Sequence, residues 1–285
     1  MGSSQKGDLK MKFSEIVRNT RTNGPLVHCI TNYVTVNDCA NIILASGGSP
    51  IMADDALEVE DITSLCHALV INIGTLNVGT IESMLRAGRR ANHLGHPVIL
   101  DPVGVGASAL RLQTVLQLLK EVQFAVIRGN MSEIKTIYEG SGVTQGVDAV
   151  EEDKITEANL PQVVILAKAL SMRTGAVIAI TGAIDVVAHG DMAYVMYNGH
   201  KMMSRITGTG CMLTSVIGSF CGANQGDLLT ATAAAVSAMG LCGELAYNKM
   251  QVNAEGTGSF KVYLMDYMSL LDGEFLERGT KVEVR

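Results

Sequence analysis

Short apolar runs rich in valine and isoleucine recur along the first two thirds of the chain, and longer segments with helical spacing separate them. Six of these runs have the length and the β-branched content of buried strands. They are PLVHCI (25–30), SPIM (49–52), ALVINIG (68–74), PVILDP (97–102), FAVIRG (124–129) and AVIAITG (176–182). Between the third and fourth runs, helical periodicity is clearest, with apolar residues at Val78, Ile81, Leu85 and Leu94. Gly95 then supplies a stop signal, so this segment predicts one helix.

The pattern changes after Thr181. The segment DVVAHGDMAYVMYNG (185–199) contains two strand-like runs joined at His189, Gly190 and Asp191, which predicts an antiparallel hairpin at one edge of the sheet. The chain beyond this hairpin has mostly helical spacing. Together the elements predict an α/β fold in which a doubly wound, largely parallel sheet carries helices on both faces. Ligands of such sheets bind beyond the carboxyl ends of the strands.

Length and composition are consistent with one domain. The chain has 285 residues, 47% of them hydrophobic, and shows no internal repeat, no low-complexity linker and no break in composition. Residues 1–11 are polar and lack a hydrophobic secretory core, so we expect a disordered tail there and a single domain over residues 12–285.

Charge and cysteine usage narrow the function classes. A net charge of -6 and the lack of a basic cluster disfavour nucleic acid as a partner. The six cysteines contain no C-x-x-C pair, which is typical of reduced thiols in a cytoplasmic protein. The segment from Ile206 to Gly226 carries no charge, but its five glycines favour close helix packing inside a soluble core over a membrane span.

Polar residues follow several of the predicted strands. Asp101 ends the fourth run, Arg128 and Glu133 lie in VIRGNMSE, and Thr181 ends the sixth run. Each has an ordinary structural interpretation, and Asn130 with Glu133 fits a helix capping box. Their joint occurrence at strand ends predicts a site that handles phosphate.

A glycine turn precedes one of the C-terminal helices. In ITGTGCMLTS (206–215) two glycines flank a threonine and Cys211 follows. The apolar residues of the next turns predict the inner face of a helix, at Met212, Leu213, Val216 and Ile217. A glycine turn at a helix N-terminus offers free backbone N–H groups and the positive end of the helix dipole, so it is suited to an anion.

Three motifs of other enzyme classes are absent or incomplete. No G-x-x-x-x-G-K-[ST] occurs, so nucleotide chemistry of the P-loop kind is excluded. GVGASA (104–109) matches the dinucleotide fingerprint, but its strand is not the first of the fold and the acidic residue Glu121 follows too closely. His93 and His96 have no nearby His or Cys that would complete a zinc site.

Five stretches of the chain, in order, resemble the hydroxyethylthiazole kinase family of thiamine salvage, which belongs to the ribokinase-like superfamily. They are HCITNYVTVNDCANIILASGGSPIMADD, LDPVGVGAS, VIRGNMSEI, AITGAID and ITGTGCMLTS. The similarity extends from about residue 12 to about residue 275, and the first and last stretches are the most diagnostic.

The resemblance implies a ribokinase-like fold and a kinase that phosphorylates the hydroxyethyl group of 4-methyl-5-(2-hydroxyethyl)thiazole with ATP and Mg²⁺. It also implies a homotrimer with active sites between subunits. The residues it implies are Met52 and Gly208 for thiazole, Arg128 and Thr181 for ATP, Asp101 and Glu133 for Mg²⁺, and Cys211 at the position of the catalytic base.

Three alternatives remain open at this point. The acceptor could be another small alcohol, such as a pyrimidine or pyridoxal-like vitamin precursor. Cys211 could instead be the nucleophile of a hydrolase or acyl transferase, since a helix N-terminus lowers the pKa of a thiol. The chain could also bind a nucleotide or a thiamine precursor without turnover, and then the carboxylates of Asp101 and Glu133 would not be needed.

Overall fold

The structure is a computed structural model that describes residues 3–140 and 154–285. Its strands are β1 (Leu26–Ile30), β2 (Ser49–Ile51), β3 (Ala68–Asn72), β4 (Val98–Asp101), β5 (Val126–Asn130), β6 (Val177–Thr181), β7 (Asp185–His189), β8 (Met192–Met196) and β9 (Val282–Val284). Its helices are α1 (Ser3–Asn23), α2 (Val36–Ser46), α3 (Val59–Leu65), α4 (Val78–Leu94), α5 (Ala109–Glu121), α6 (Met131–Glu139), α7 (Leu160–Thr174), α8 (Thr209–Ala223), α9 (Leu228–Val252), α10 (Thr257–Leu270) and α11 (Gly273–Gly279).

The strands form one mixed sheet in the order β2-β1-β3-β4-β5-β6-β7-β8-β9. Pairing is parallel from β2 to β6 and antiparallel from β6 to β9. All six predicted strands and the β7–β8 hairpin are present, which confirms the doubly wound α/β fold. The hairpin is not at the edge, however, because β9 pairs with β8 beyond it. With three residues between charged neighbours, β9 is too short to give a strand signal in the sequence.

Apolar side chains on the two faces of the sheet form two cores. In β3, Val70 lies in one core, whereas Leu69 and Ile71 lie in the other. This alternation explains why the parallel strands are apolar at nearly every position. Helices α8 and α9 cover the first face, and the four predicted inner residues of α8 are all buried.

Helix α9 is long and apolar enough to cross a membrane by length and composition. In the part of the chain that the structure describes it is the one such helix, and 78% of its most apolar window is buried inside the protein. The uncharged segment 206–226 does not form one membrane-length helix, since α8 covers only Thr209–Ala223 of it.

Helix α4 forms as predicted and ends at Gly95 in the left-handed conformation. One predicted inner residue is wrong, because Val78 is 86% exposed. It is the first residue of α4, and the buried face of the helix begins only at Ser83. That face consists of Ser83, Met84, Leu85, Ala87, Gly88 and Ala91.

The N-terminal segment differs from the expected disordered tail. Helix α1 begins at Ser3, and Leu9 is buried in the same core as Phe13 and Val17. The physical reason is the spacing of these residues, which places them on one face of a helix. Helix α1 packs against α8, α9 and α11.

Candidate active site

The carboxyl ends of the parallel strands and the N-terminus of α8 converge at one edge of the sheet. Asp101 ends β4, Thr181 ends β6, and Arg128 lies in β5 between them. Cys211 lies in the first turn of α8. Strand positions therefore account for three of these candidate residues, and the glycine turn before α8 accounts for Cys211.

Asp101 is the most deeply buried charge in this site. Its Oδ2 accepts hydrogen bonds from Asn72 Nδ2 at 2.9 Å and from Thr214 Oγ1 at 2.8 Å. Its Oδ1 has no hydrogen-bond partner and lies 3.7 Å from Arg128 Nη1. Burial raises the pKa of Asp101, and the positive charge of Arg128 opposes the rise. A buried carboxylate oxygen without a donor is suited to a cation with oxygen ligands.

Arg128 links β4 to β6. Its Nη2 donates to Thr181 Oγ1 at 2.6 Å, and its Nε is buried without a partner. The backbone of α8 passes directly over the guanidinium, since a Cβ on Gly210 would lie 2.5 Å from Arg128 Nη1. Glycine at this position lets the helix start and the guanidinium approach each other.

Glu133 does form the capping box of α6. Its Oε2 accepts from the Asn130 N–H at 2.8 Å, and Asn130 Oδ1 accepts from the Glu133 N–H at 2.9 Å. Its Oε1 accepts from the Gly104 N–H at 2.8 Å, so the glycine of the dinucleotide-like motif binds this carboxylate. Burial, and then the charge of Asp101, raise the pKa of Glu133. The carboxylate thus holds the loop after β4, and its proximity to Asp101 leaves a concentration of negative charge that a cation would relieve.

The glycine turn is built as the sequence indicates. Gly208 has a φ of 89°, and a Cβ there would lie 2.6 Å from Thr35 Cγ2. The Met212 N–H donates to the Gly208 carbonyl at 2.8 Å and closes the first turn of α8. The N–H groups of residues 209–211 therefore precede the helical hydrogen bonds, as an anion site requires.

Cys211 is partly buried, and its thiol is a hydrogen-bond acceptor. Asn32 Nδ2 and Asn72 Nδ2 each donate to its Sγ at 3.3 Å. Burial, followed by the charge of Asp101, raises the pKa of Cys211 to about 11. The expectation of a lowered pKa at the helix N-terminus is wrong, because burial and a nearby carboxylate outweigh the dipole. A neutral thiol does not support the hypothesis of a cysteine nucleophile.

Comparison with known proteins gives the family. The model of the Hydroxyethylthiazole kinase family matches residues 17–274. The chain belongs to the hydroxyethylthiazole kinase family. The hydroxyethylthiazole kinase of Clostridium acetobutylicum is 58% identical over 269 residues, which cover 94% of this chain and 98% of that protein. The hydroxyethylthiazole kinase of Methanobrevibacter smithii is 42% identical over 287 residues, with 99% of each chain covered.

Solved structures agree with this assignment. The hydroxyethylthiazole kinase structure from Pyrococcus horikoshii superposes with a TM-score of 0.85 at 34% identity, covering 96% of this chain and 99% of that one. A pyridoxal kinase from Staphylococcus aureus in complex with ADP gives a TM-score of 0.54 at 12% identity and covers 77% of this chain and 87% of that one. The second match shows the fold alone, and it confirms the ribokinase-like architecture.

Within this hydroxyethylthiazole kinase fold, Met52 lies three strands away from Asp101 in the order of the sheet. It follows β2, the edge strand, and packs partly buried against the core that contains α8. Sequence reasoning missed Asn32, Asn72 and Thr214, although Asn72 ends a buried strand and Asn32 follows another by two residues. A polar side chain at the end of a buried strand was the available signal for both asparagines.

Asp185 is a second acidic residue beside Arg128 that the sequence did not single out. Its Oδ1 accepts from the Gly182 N–H at 2.9 Å, and burial raises its pKa to about 7 against the opposing effects of that bond and of Arg128. An unfolded aspartate titrates near a pKa of about 3.9, so from about pH 4 to 7 the folded state binds more protons. The free energy of unfolding therefore falls as pH rises through this window.

We expect Asp185→Asn to remove that dependence. The Tm of the parent protein should fall relative to that of the variant between pH 5 and pH 8, because only the parent must ionise a carboxyl group there. Asp191→Asn, in the exposed turn of the β7–β8 hairpin, is the matched control. Thermal melts across this pH range test the prediction, and parallel Tm curves for parent and Asp185→Asn would contradict it.

Proposed function

We propose that this protein transfers the γ-phosphoryl group of ATP to the hydroxyethyl group of hydroxyethylthiazole, in thiamine salvage. One observation carries the proposal: buried Asp101, Arg128 and the glycine turn of α8 meet at the edge of the sheet. Phosphoryl transfer through a loose transition state requires mainly positioning and positive or N–H groups around the phosphate oxygens. This arrangement supplies both.

The residues of the site are consistent with Mg²⁺. The unpartnered Oδ1 of Asp101 and the carboxylate of Glu133 are oxygen donors, which Mg²⁺ prefers. When bound, Mg²⁺ supplies charge neutralisation at the phosphate oxygens. Because both oxygens of Glu133 already accept backbone N–H groups, we propose Asp101 as the direct ligand and Glu133 as a ligand through water or a free lone pair.

Arg128 and Thr181 would hold ATP. The Arg128 guanidinium is fixed by Thr181 Oγ1 on one side and faces Asp101 on the other, so its position is set before any ligand arrives. The free N–H groups at the start of α8 lie close to the guanidinium, because Gly210 has no Cβ to keep them apart. Together they form a cradle for a phosphoryl group, which supports electrostatic stabilisation of the transition state. Gly208 and Met52 are proposed to contact the thiazole.

Cys211, as a neutral thiol, would orient the hydroxyl of the acceptor, and the hydroxyl proton would pass to an oxygen of the transferred phosphoryl group late in the transfer. We expect Cys211→Ala to lower kcat about tenfold without abolishing turnover, because general-base assistance adds little to a loose transition state. Cys211→Asp should retain kinase activity, since the amides of Asn32 and Asn72 can donate to a carboxylate as they do to sulfur.

The measurement is kcat of both variants at saturating ATP and thiazole, with thermal melts to establish folding. Cys221→Ala is the matched control, since Cys221 lies on the same helix and is buried away from the site. A covalent mechanism requires both Cys211 variants to be inactive. A folded but inactive Cys211→Asp would therefore overturn the role proposed for the thiol.

One assay tests the substrate. The protein is incubated with ATP, Mg²⁺ and, in turn, hydroxyethylthiazole, the hydroxymethylpyrimidine precursor, pyridoxal and ribose, and ADP release is followed. Hydroxyethylthiazole should have the highest kcat/KM. A higher kcat/KM for another alcohol would change the proposed substrate but not the proposed kinase activity. No ADP release with any of the four compounds would favour the hypothesis of a binding protein.

We also propose a homotrimer whose sites lie between subunits. Large apolar side chains are exposed in the segments that follow the carboxyl ends of β1, β2 and β3: Tyr33 is 79% and Leu57 88% exposed, and Val34 and Val78 are also exposed. Exposed apolar residues clustered near a site are typical of a protein interface. Activity per chain should fall on dilution that dissociates the oligomer, and thiazole should restore assembly by mass action. Unchanged activity in a demonstrated monomer would contradict the shared site.

Cytoplasmic localisation completes the proposal. All six cysteines are free, and five of them are buried. Reduced thiols are typical of a reducing compartment, which is where a kinase finds ATP.

A further inference from the structure

The side chain of Asn72 lies at the carboxyl end of β3 and is 2% exposed. Its Oδ1 accepts hydrogen bonds from the Gly74 N–H at 2.9 Å and from Asn32 Nδ2 at 3.0 Å. Its Nδ2 donates to Asp101 Oδ2 at 2.9 Å and to Cys211 Sγ at 3.3 Å. Every hydrogen-bonding position of this buried amide is therefore used.

The orientation of this amide follows from its partners. The Gly74 backbone N–H can only donate, so the atom that faces it must be the amide oxygen of Asn72. An ionised Asp101 can only accept, so the atom that faces it must be the amide nitrogen. Both constraints give the same orientation, and a flipped amide would lose both bonds.

Asn32 extends the same arrangement toward the loop after β1. Its Oδ1 accepts from the N–H and from the Oγ1 of Thr35, each at 3.1 Å. Its Nδ2 donates to Asn72 Oδ1 and, at 3.3 Å, to Cys211 Sγ. Donors therefore run in one direction from Thr35 through the two amides to Asp101. A continuous chain of this kind polarises and stiffens its members.

The segment that follows Asn72 is also held in place. Arg111, in the first turn of α5, donates through Nη1 to the Ile73 carbonyl at 3.1 Å and through Nη2 to the Gly74 carbonyl at 2.6 Å. The Gly74 N–H is bound by Asn72 itself. Both the N–H and the carbonyl groups of this turn are thus satisfied, so the amide of Asn72 has a rigid support.

These contacts determine where the Cys211 sulfur lies. Two N–H donors on Sγ make the sulfur an acceptor toward Asn32 and Asn72, so its own S–H must point away from both amides. One nitrogen of Asn72 contacts both the sulfur and Asp101. That nitrogen sets the separation between the thiol proposed to orient the acceptor hydroxyl and the carboxylate proposed to carry the metal.

We propose that Asn72 is a positioning residue, which fixes the Cys211 sulfur and the Asp101 carboxylate relative to each other so that acceptor hydroxyl and phosphoryl group meet in line. The effect of Asn72 on catalysis rests on the proposed kinase function. The contact of the amide with the sulfur does not, and it can be tested without turnover.

The first experiment measures the contact directly. Cys211 is the one cysteine of the six that is not buried, so its alkylation by iodoacetamide can be followed by mass spectrometry of its peptide. An N–H donor favours the thiolate, which is the reacting form. Asn72→Ala should therefore slow alkylation at fixed pH by roughly threefold or more. Asn72→Ser serves if the alanine variant does not fold.

Asn224→Ala is the matched control for this experiment. Asn224 is also a buried asparagine with several hydrogen bonds, but it lies at the opposite end of α8, where it donates to the Phe220 carbonyl. The control should alkylate at the parent rate. Equal or faster alkylation of folded Asn72 variants relative to the parent overturns the proposed contact.

The second experiment measures the effect on turnover. Asn72→Ala should lower kcat roughly tenfold and leave KM for ATP within about twofold, because a misplaced group slows the chemical step more than it weakens binding. In the Cys211→Ala background the same substitution should lower kcat by a smaller factor than in the parent, since the positioned sulfur is already gone and only the contact with Asp101 is lost. Effects that multiply fully in the double variant would overturn the positioning role.

The two experiments separate the two proposals. If the parent protein shows no kinase activity, the proposed function fails, whereas the alkylation rates still decide whether Asn72 holds the sulfur. If the parent is active and alkylation is unchanged in the Asn72 variants, the proposed kinase function is supported and the proposed role of Asn72 is wrong.

Discussion

Asp101→Asn should lower kcat by about 10³-fold or more, because the substitution removes the buried charge that the site is built around. The neutral amide can still accept from Asn72 and Thr214 through its oxygen. Its nitrogen would then face Arg128 Nη1, which lies 3.7 Å from the present Oδ1, and two donors would oppose each other. The variant loses the only carboxylate oxygen of the site that is buried and unpartnered among the described residues.

Steady-state kinetics across a range of Mg²⁺ concentrations check this prediction. Asp191→Asn, in an exposed turn of the same protein, is the matched control and should retain parent kinetics. Circular dichroism and a thermal melt establish that the variant is folded. Turnover within tenfold of the parent, at any Mg²⁺ concentration, would show that Asp101 is structural and that another group carries the metal.

Gly210→Ala should lower kcat/KM for ATP by about 10²-fold while leaving the fold intact. A Cβ at this position would lie 2.5 Å from Arg128 Nη1 and 3.0 Å from Nη2. The obstructed group is the end of a flexible side chain, so the guanidinium moves and the helix does not. Arg128 then loses its bond to Thr181 Oγ1 and no longer points at the phosphoryl group.

Gly226→Ala is the control for this substitution. Gly226 lies just beyond the other end of α8, and a Cβ there meets nothing within 4 Å. Both variants should have a Tm close to that of the parent. If Gly210→Ala is unfolded, or if it is as active as Gly226→Ala, the close approach of α8 to Arg128 is not what positions the guanidinium.

The sequence predicted most of the fold because strand-forming and helix-forming patterns in this chain are local. Each of the six apolar runs carries its own signal, and the helix that ends at Gly95 has both periodicity and a stop. β9 was not predicted because its stability comes from pairing with β8, which lies far away in the sequence. The helical N-terminal segment was missed because its polar residues obscured the spacing of Leu9 and Phe13.

The candidate site was predicted to a similar extent and for a similar reason. Asp101, Arg128 and Thr181 could be found because each lies at the end of a strand signal. The pKa of the Cys211 thiol could not be predicted. A helix dipole contributes about 0.3–2 kcal/mol, whereas burial and a neighbouring carboxylate shift a pKa by several units. The pKa of Cys211 also depends on Thr35, Asn72 and Asp101, which belong to three distant segments, so no local pattern encodes it.

The position of β9 in the sheet has a consequence for how the protein is made. Its partner β8 is a strand of five mostly buried residues, and four helices, α8 to α11, lie between the two strands along the chain. A ribosome adding ~5–20 residues per second needs roughly 4–18 s to cover that stretch. Throughout that interval the backbone N–H and C=O groups of β8 that later pair with β9 are open to other nascent chains. Solubility during synthesis therefore depends on how soon the newly made helices and β9 cover β8.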